Sequence, residues 1–174
     1  MVVVTKKVLS QHDIRVCTES DFEAIYRIIN DASRAYDGVI PSDRYHQPYM
    51  PKDELRREMQ RVTFYGWEES GKLAGVMGLE LVRDVQLIRH AYVLTGQQKK
   101  GIGSRLLEHI KGRTNGSRLL VGTWADATWA IDFYNRHGFR LCPNKDDLLK
   151  KYWDIPDRQI ETSVVLELKN EYLS

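Results

Sequence analysis

The sequence predicts one α/β domain, and three observations carry that prediction. Runs rich in β-branched and aromatic residues alternate along the chain with segments of helical apolar spacing. Residues 62–94 read as an antiparallel meander, because turn signals at Ser70-Gly71 and Asp84-Val85 separate three strand-like runs. No internal repeat, low-complexity tract or composition break divides the 174 residues, a length that suits one domain with a proper core.

A composition of 42% hydrophobic and 29% charged residues is that of a globular chain. The 26 basic and 24 acidic side chains leave a formal charge of +2, so no global field calls for nucleic acid. An anionic ligand must be held by a local cluster instead. No apolar run approaches the roughly 18 residues of a membrane span. The three valines after Met1 are too short for a secretory leader. Cys17 and Cys142 have neither CxxC nor metal-ligand spacing. A cytoplasmic protein with reduced thiols and no metal is the expectation.

In order, residues 1–11 read as a loose lead-in and residues 14–16 as a short strand. Thr18 to Asp21 resembles a capping box with Thr18 as N-cap. It opens a helix to about Ala35 with Phe22, Ile25, Ile29 and Ala32 on one face. Residues 36–50, YDGVIPSDRYHQPYM, form either one wall of a binding pocket or a packed Ω-type loop. Pro51 suits the first turn of the next helix, which buries Leu55, Met59 and Val62. The charges among them, Arg56, Arg57, Glu58 and Arg61, read as a solvated surface. Strands over 64–69, 72–83 and 87–94 make the meander.

Residues 102–111 predict a helix with Ile102, Leu106, Leu107 and Ile110 on one face. Gly112 and Asn115-Gly116 end that segment, and residues 119–123 give a short buried strand. A second helix over 127–137 closes with Arg136, His137 and Gly138. Residues 139–142 return as a strand, and 143–157 read as a connector in which Leu148, Leu149, Tyr152 and Trp153 pack down. From Ile160 to Leu168 apolar and polar residues alternate, predicting a last strand able to pair across a homodimer.

The stretch over 85–111 organises the rest. A buried strand leads through Gln98-Lys99-Lys100-Gly101-Ile102-Gly103 into a helix N-terminus. Strand, glycine turn and helix start together make a phosphate-holding arrangement, since backbone N–H groups converge where the helix dipole is positive.

With those residues in view, the chain resembles the GNAT superfamily of N-acetyltransferases. The family signature is Arg or Gln, two residues, Gly, any residue, then Gly or Ala. It stands here as Gln98, Lys99-Lys100, Gly101, Ile102, Gly103. Further on, residues 133–139, FYNRHGF, match the family's tyrosine-to-Gly-Phe element, and the element order fits from about Ile14 to Leu168. Thr95 and Gln97 stand where the family often has proline and an aromatic, and Ala127 where many members carry asparagine. The resemblance implies a single GNAT-like domain over residues 1–174, with a mixed, mostly antiparallel central sheet flanked by helices. A central strand pair would splay at the cofactor site. It also implies acetyl coenzyme A as donor, and a primary amine as acceptor attacking directly in a ternary complex. A small or amino-acid-like amine is favoured. The alternative is an acetyl-CoA-binding sensor or interaction module without turnover.

The residues then take roles that the resemblance implies. Backbone N–H groups from Lys99 to Ser104 would cradle the pyrophosphate. The strand backbone around Tyr92, Val93 and Leu94 would meet the pantetheine arm, with an N–H near Val93 polarising the thioester carbonyl. Tyr134 would protonate the leaving thiolate, or else only pack against the cofactor. The reference value of the cofactor thiol is about 8.5, while a phenol at about 10 is still protonated at neutral pH and can donate. No unique base is named. His90 is either that base or a satisfied core histidine, and Glu80, inside an apolar strand, is either paired or catalytic. Alternation would put His90 and Tyr92 on one face, and Arg89, Ala91 and Val93 on the other. Arg89 would then be placed to hold a carboxylate of an anionic acceptor. Asp126 reads as a helix N-cap or as an ammonium partner between Trp124 and Trp129. Tyr36, Tyr45 and Tyr49 would close the far side.

Overall fold

Antiparallel pairing dominates the sheet, and the one exception positions the site. The computed structural model describes residues 12–170, so the lead-in lies outside the described residues. Among the described residues seven strands form one sheet: β1 (His12–Val16), β2 (Thr63–Glu69), β3 (Lys72–Val82), β4 (Val85–Val93), β5 (Arg118–Trp124), β6 (Phe139–Leu141) and β7 (Ser163–Leu168). Their spatial order is β1-β2-β3-β4-β5-β7-β6, and only β4 and β5 run parallel. The predicted meander is β2, β3 and β4. Ser70 and Gly71 turn its first hairpin with φ of 51° and 78°, the left-handed pair that a two-residue hairpin requires. The second reversal sits one residue earlier than expected, at Arg83-Asp84, because Val82 pairs with Val85.

The helices are α1 (Phe22–Ala32), α2 (Lys52–Arg61), α3 (Ile102–Lys111), α4 (Thr128–Arg136), α5 (Lys145–Tyr152) and α6 (Asp157–Glu161). The capping box at Thr18 is present: its N–H donates to the Asp21 carboxylate at 2.8 Å. A short 3-10 turn then leads into α1, which buries Ile25, Ile28, Ile29 and Ala32. Helices α1 and α2 pack with Phe64, Leu73 and Val76 on one sheet face. Helices α5 and α6 continue that layer over Val85, Leu87, Leu120 and Val165. On the opposite face α3 and α4 enclose Met77, Ile88, Leu119, Val121 and Leu166. Burying each such side chain contributes about 1.5–3 kcal/mol, which is why the sheet is sandwiched between two helical layers.

Three sequence expectations are corrected here. The presumed connector over 143–157 holds α5, whose Leu148, Leu149 and Tyr152 recur at helical spacing and are buried. Ile160 belongs to α6, so the last strand starts at Ser163. That strand lies between β5 and β6, which pairs with its Leu166 to Leu168, so it is an interior strand of the sheet rather than an edge strand.

Candidate active site

Strands β4 and β5 pair only from Val85 opposite Arg118 to Ile88 opposite Val121. Beyond that point β4 continues to Val93 and β5 to Trp124 without pairing, so the sheet splits into a wedge. A cavity of about 760 Å³ fills the opening.

A β-bulge shapes the β4 side of the wedge. Gly78 pairs with Arg89 and Val76 with Tyr92, so His90 and Ala91 together oppose Met77. His90 takes a left-handed φ of 55°. Gly78 permits the bulge, since a Cβ there would lie 2.7 Å from the Arg89 carbonyl oxygen. The extra residue keeps the expected grouping of His90 with Tyr92 and of Ala91 with Val93, and moves Arg89 alone to the other face. Arg89 and His90 both turn to the α2 face, together with Tyr92, while Ala91 and Val93 face α3. Past the bulge, the Leu94 N–H donates to the Ala74 carbonyl at 2.9 Å. Backbone direction alternates along a strand, so the Tyr92 groups also point to β3 and those of Val93 point into the wedge. The Val93 carbonyl accepts from the Gln98 side chain at 3.2 Å on that side. Of Tyr92, Val93 and Leu94, therefore, Val93 presents its peptide to the cavity and Leu94 does not.

The turn after β4 forms the floor. Lys99 and Gly101 adopt left-handed φ of 64° and 80°, and nothing lies within 4 Å of where a Gly101 side chain would begin. The first α3 hydrogen bond runs from the Arg105 N–H to the Gly101 carbonyl at 3.1 Å. The N–H groups of Ile102, Gly103 and Ser104 thus have no acceptor within the helix. Those residues line the cavity with Gln98, Lys99 and Gly101. Lys100 does not; its ammonium donates to Gln97 at 2.8 Å. An open, donor-rich helix start, in a cavity also lined by the cations Lys99 and Arg136, fits a pyrophosphate.

Tyr134, on α4, reaches the same cavity from the other side of the wedge and is 5% exposed. Its ring stands edge-on to Phe133 and Phe139, with centroids 5.1 Å and 5.4 Å away. Burial, reinforced by nearby Tyr36, pushes its hydroxyl above the ordinary phenol range and keeps it protonated. Ser104 Oγ and His137 Nε2 lie 3.0 Å apart and tie the start of α3 to the end of α4.

The opposite end of the cavity is aromatic. Tyr36, Tyr92 and Trp129 line it, and the Tyr36 ring lies 5.9 Å from Trp129 and 5.4 Å from Tyr49. The Trp124 indole N–H donates to the Tyr49 hydroxyl at 3.2 Å behind this wall. Burial raises Tyr36, Tyr49 and Tyr92 above the phenol range, so these hydroxyls stay neutral. Asp126 is exposed, makes no side-chain cap, and lies outside the lining, so neither role expected of it is seen.

His90 lines the cavity, and behind it sits a charge cluster. Its Nε2 is 2.5 Å from Glu58 Oε2. Arg89 donates to Glu80 at 2.8 Å and to Glu58 at 3.1 Å, and Arg61 bonds both carboxylates. Glu80 is buried, paired and away from the cavity lining. Arg89 is engaged in the same way and is not available to an anionic acceptor from the cavity. Glu58 is the residue that the solvated-surface reading of α2 missed. It is 5% exposed, three residues after Leu55 and four before Val62, on the helix's buried face. That spacing was the available signal.

Comparison with known proteins resolves what this arrangement belongs to. A sequence profile of the acetyltransferase (GNAT) domain matches residues 30–150. The chain belongs to the GNAT acetyltransferase family. It is thus an acyltransferase by family. No curated protein sequence matches it significantly. Among solved structures, it is similar to the PaiA N-acetyltransferase of Thermoplasma acidophilum in complex with coenzyme A. That match has a TM-score of 0.67 at 16% identity and covers 92% of this chain and 99% of the other. It is also similar to the ribosomal-protein-S18-alanine N-acetyltransferase of Escherichia coli (TM-score 0.66, 19% identity, 94% and 99% covered). A GNAT acetyltransferase from Elizabethkingia anophelis with acetyl-CoA bound scores 0.64 at 18% identity, with 91% and 98% covered. At such identities the likeness is one of fold.

Two departures from the GNAT pattern have local reasons. The Thr95 N–H donates to Asp31 at 2.7 Å and so fastens the end of β4 to α1, a bond that proline cannot make. Ala127 is fully buried against Ile40 and Trp124, where an asparagine amide would need polar partners.

Proposed function

We propose that this GNAT-family chain is an N-acetyltransferase that moves an acetyl group from acetyl coenzyme A to a small primary amine by direct attack in a ternary complex. One observation carries the reading: the donor-rich turn, the free Val93 peptide and the Tyr134 hydroxyl converge on one wedge-shaped cavity.

In this reading the N–H groups of Gly101 to Ser104, with Lys99, hold the pyrophosphate. The Val93 N–H polarises the thioester carbonyl, and its fixed orientation means no reorganisation as charge develops. Tyr134, held protonated by burial, gives its proton to the leaving thiolate. His90 takes the proton that the acceptor ammonium must lose before attack. Glu80 serves the charge cluster rather than the chemistry. The acceptor end presents aromatic rings, and no carboxylate is among the residues that line the cavity. That suits a small amine with an apolar body, approached through ring faces. The turn that holds the donor and the aromatic wall that meets the acceptor occupy different ends of the cavity, as simultaneous binding requires.

The test is a panel of amines scored for release of free thiol from acetyl coenzyme A, run on the protein and on Tyr134→Phe. Turnover with an arylalkyl or other apolar amine is expected, and the substitution should lower kcat by roughly 10²–10⁴-fold while the acetyl-CoA Kd stays put. Tight acetyl-CoA binding without thiol release for any amine would instead indicate a sensor. Full turnover by Tyr134→Phe would remove the acid role from that tyrosine.

A further inference from the structure

We infer that Glu58 is a positioning residue for His90: it fixes the neutral imidazole as the Nε2–H tautomer and leaves Nδ1 as the proton acceptor at the cavity. The inference rests on the reading of His90 as the group that takes the acceptor's proton.

Three features of the molecule lead there. First, Glu58 is a carboxylate on an otherwise apolar helix face, 5% exposed, an expensive placement unless its charge is used. Second, its oxygens are divided. Oε1 takes Arg61, and Oε2 takes both Arg89 and His90 Nε2. Burial alone would raise this carboxyl, but the hydrogen bonds from His90 and Arg61 and the adjacent charge of Arg89 outweigh it and keep it ionised. A group so acidic has no proton to give, so the hydrogen in the 2.5 Å contact sits on Nε2. In the neutral ring the lone pair then lies on Nδ1, since the bond to Glu58 is made through Nε2. Third, the ring is fixed from two other directions. Phe64 lies nearly parallel to it, 5.8 Å between centroids at 15°, and the left-handed bulge fixes its backbone.

The charge balance supports cycling of the ring. The groups around His90 are Glu58 and Arg61 from α2, Glu80 from β3, Arg89 and Tyr92 from β4, and Tyr36 across the cavity. Two carboxylates face two guanidiniums, so a neutral imidazole leaves the set balanced, and the imidazolium formed on proton uptake lies directly against Glu58. Before attack one N–H bond of the acceptor ammonium breaks and its proton bonds to Nδ1, while the Nε2–H stays in place; the second proton leaves the nitrogen as the C–S bond breaks and restores the Tyr134 hydroxyl that protonated the thiolate.

The first measurement needs no substrate. Nitrogen-15 NMR of the imidazoles in the intact protein, at a pH where His90 is neutral, should show Nε2 protonated and Nδ1 bare. The opposite tautomer, or an even mixture, overturns the inference. The second compares kcat/KM against pH for an amine found by the panel. Glu58→Gln removes a negative charge beside the ring, so the acidic limb should move to lower pH and the plateau should fall about tenfold or more. The acetyl-CoA Kd should stay within about twofold, since Glu58 is remote from the turn. A Glu58→Gln limb that stays in place overturns the positioning role. His90→Gln separates this from the underlying reading. If the acidic limb survives in His90→Gln, His90 is not the base. If it vanishes there yet is unmoved in Glu58→Gln, only the role of Glu58 fails.

Discussion

The two ends of the cavity are built in opposite ways. The donor end comes from contiguous chain: β4, its bulge, the turn through Gly101 and the start of α3. The proposed acceptor end is assembled where Tyr36 and Trp129, from separate elements, are packed toward Tyr92 of β4, with Glu58 of α2 behind His90. A pyrophosphate needs backbone donors in one local geometry, which a short motif can encode. An acceptor needs a shaped pocket, which only tertiary structure can supply. Sequence therefore speaks clearly about the first and quietly about the second.

Four experiments press on that contrast. The largest effect should come from Gly101→Glu, which forces a side chain onto a φ of 80° and places a negative charge among the phosphate donors. Coenzyme A affinity, followed by calorimetry, should fall on the order of 100-fold or more, equal to about 2.7 kcal/mol. Undiminished affinity would show that the donor end is not built by the turn. Trp129→Ala acts on the other end. The KM for an apolar amine should rise about tenfold with the coenzyme A Kd unchanged, since Trp129 is 44% exposed and supplies a ring wall. Parallel loss of both affinities would mean that the two ends are not separable.

The third experiment reads the stability of the cluster behind the acceptor end. Glu58 is held at about 2 against an ordinary 4.5, so its folded-state value is depressed. Its contribution, at most about 3 kcal/mol, is present above pH 4.5 and is lost as pH falls toward 2. The gap in urea midpoint between the protein and Glu58→Gln should be full at pH 6 and shrink steadily below pH 4.5. A gap independent of pH would disprove the linkage. The smallest contrast is between neighbours in the turn. Lys99→Ala should weaken coenzyme A binding about threefold by removing one partly screened charge, and Lys100→Ala should leave it unchanged, because Lys100 does not line the cavity and its ammonium is engaged by Gln97. Equal losses would put both cations on the ligand.

Much of the fold was readable because period and turn chemistry agree over long segments. The meander, α1, α3 and the wedge-forming motif all carry such agreement. The rest was hidden for identifiable reasons. A one-residue bulge at His90 reverses alternation beyond it, and no residue type in the strand announces it except the glycine across the pair at Gly78. Helix α5 is short and flanked by Pro143 and Pro156, so its Leu148, Leu149 and Tyr152 face looked like loop residues packing down. Glu58 looked solvated because a charged residue on a charged helix usually is. Only its spacing from Leu55 and Val62 pointed inward. In the candidate site, the turn and Tyr134 were named from sequence. The Glu58–His90 contact joins residues far apart in the chain, and neither carries a motif.

The position of β7 also sets an order of assembly. Among the described residues β6 neighbours only β7 in the sheet, so it joins the sheet only through the later strand from Ser163, which docks on β5. Before that moment β5 presents an open edge, with Leu120 and Val121 unprotected on its two faces, the kind of surface that recruits other chains. In pulsed hydrogen exchange during refolding, the amides of β6 and β7 should therefore gain protection in the same phase, and the β2–β4 meander should precede them. Protection of β6 ahead of β7 would rule that order out.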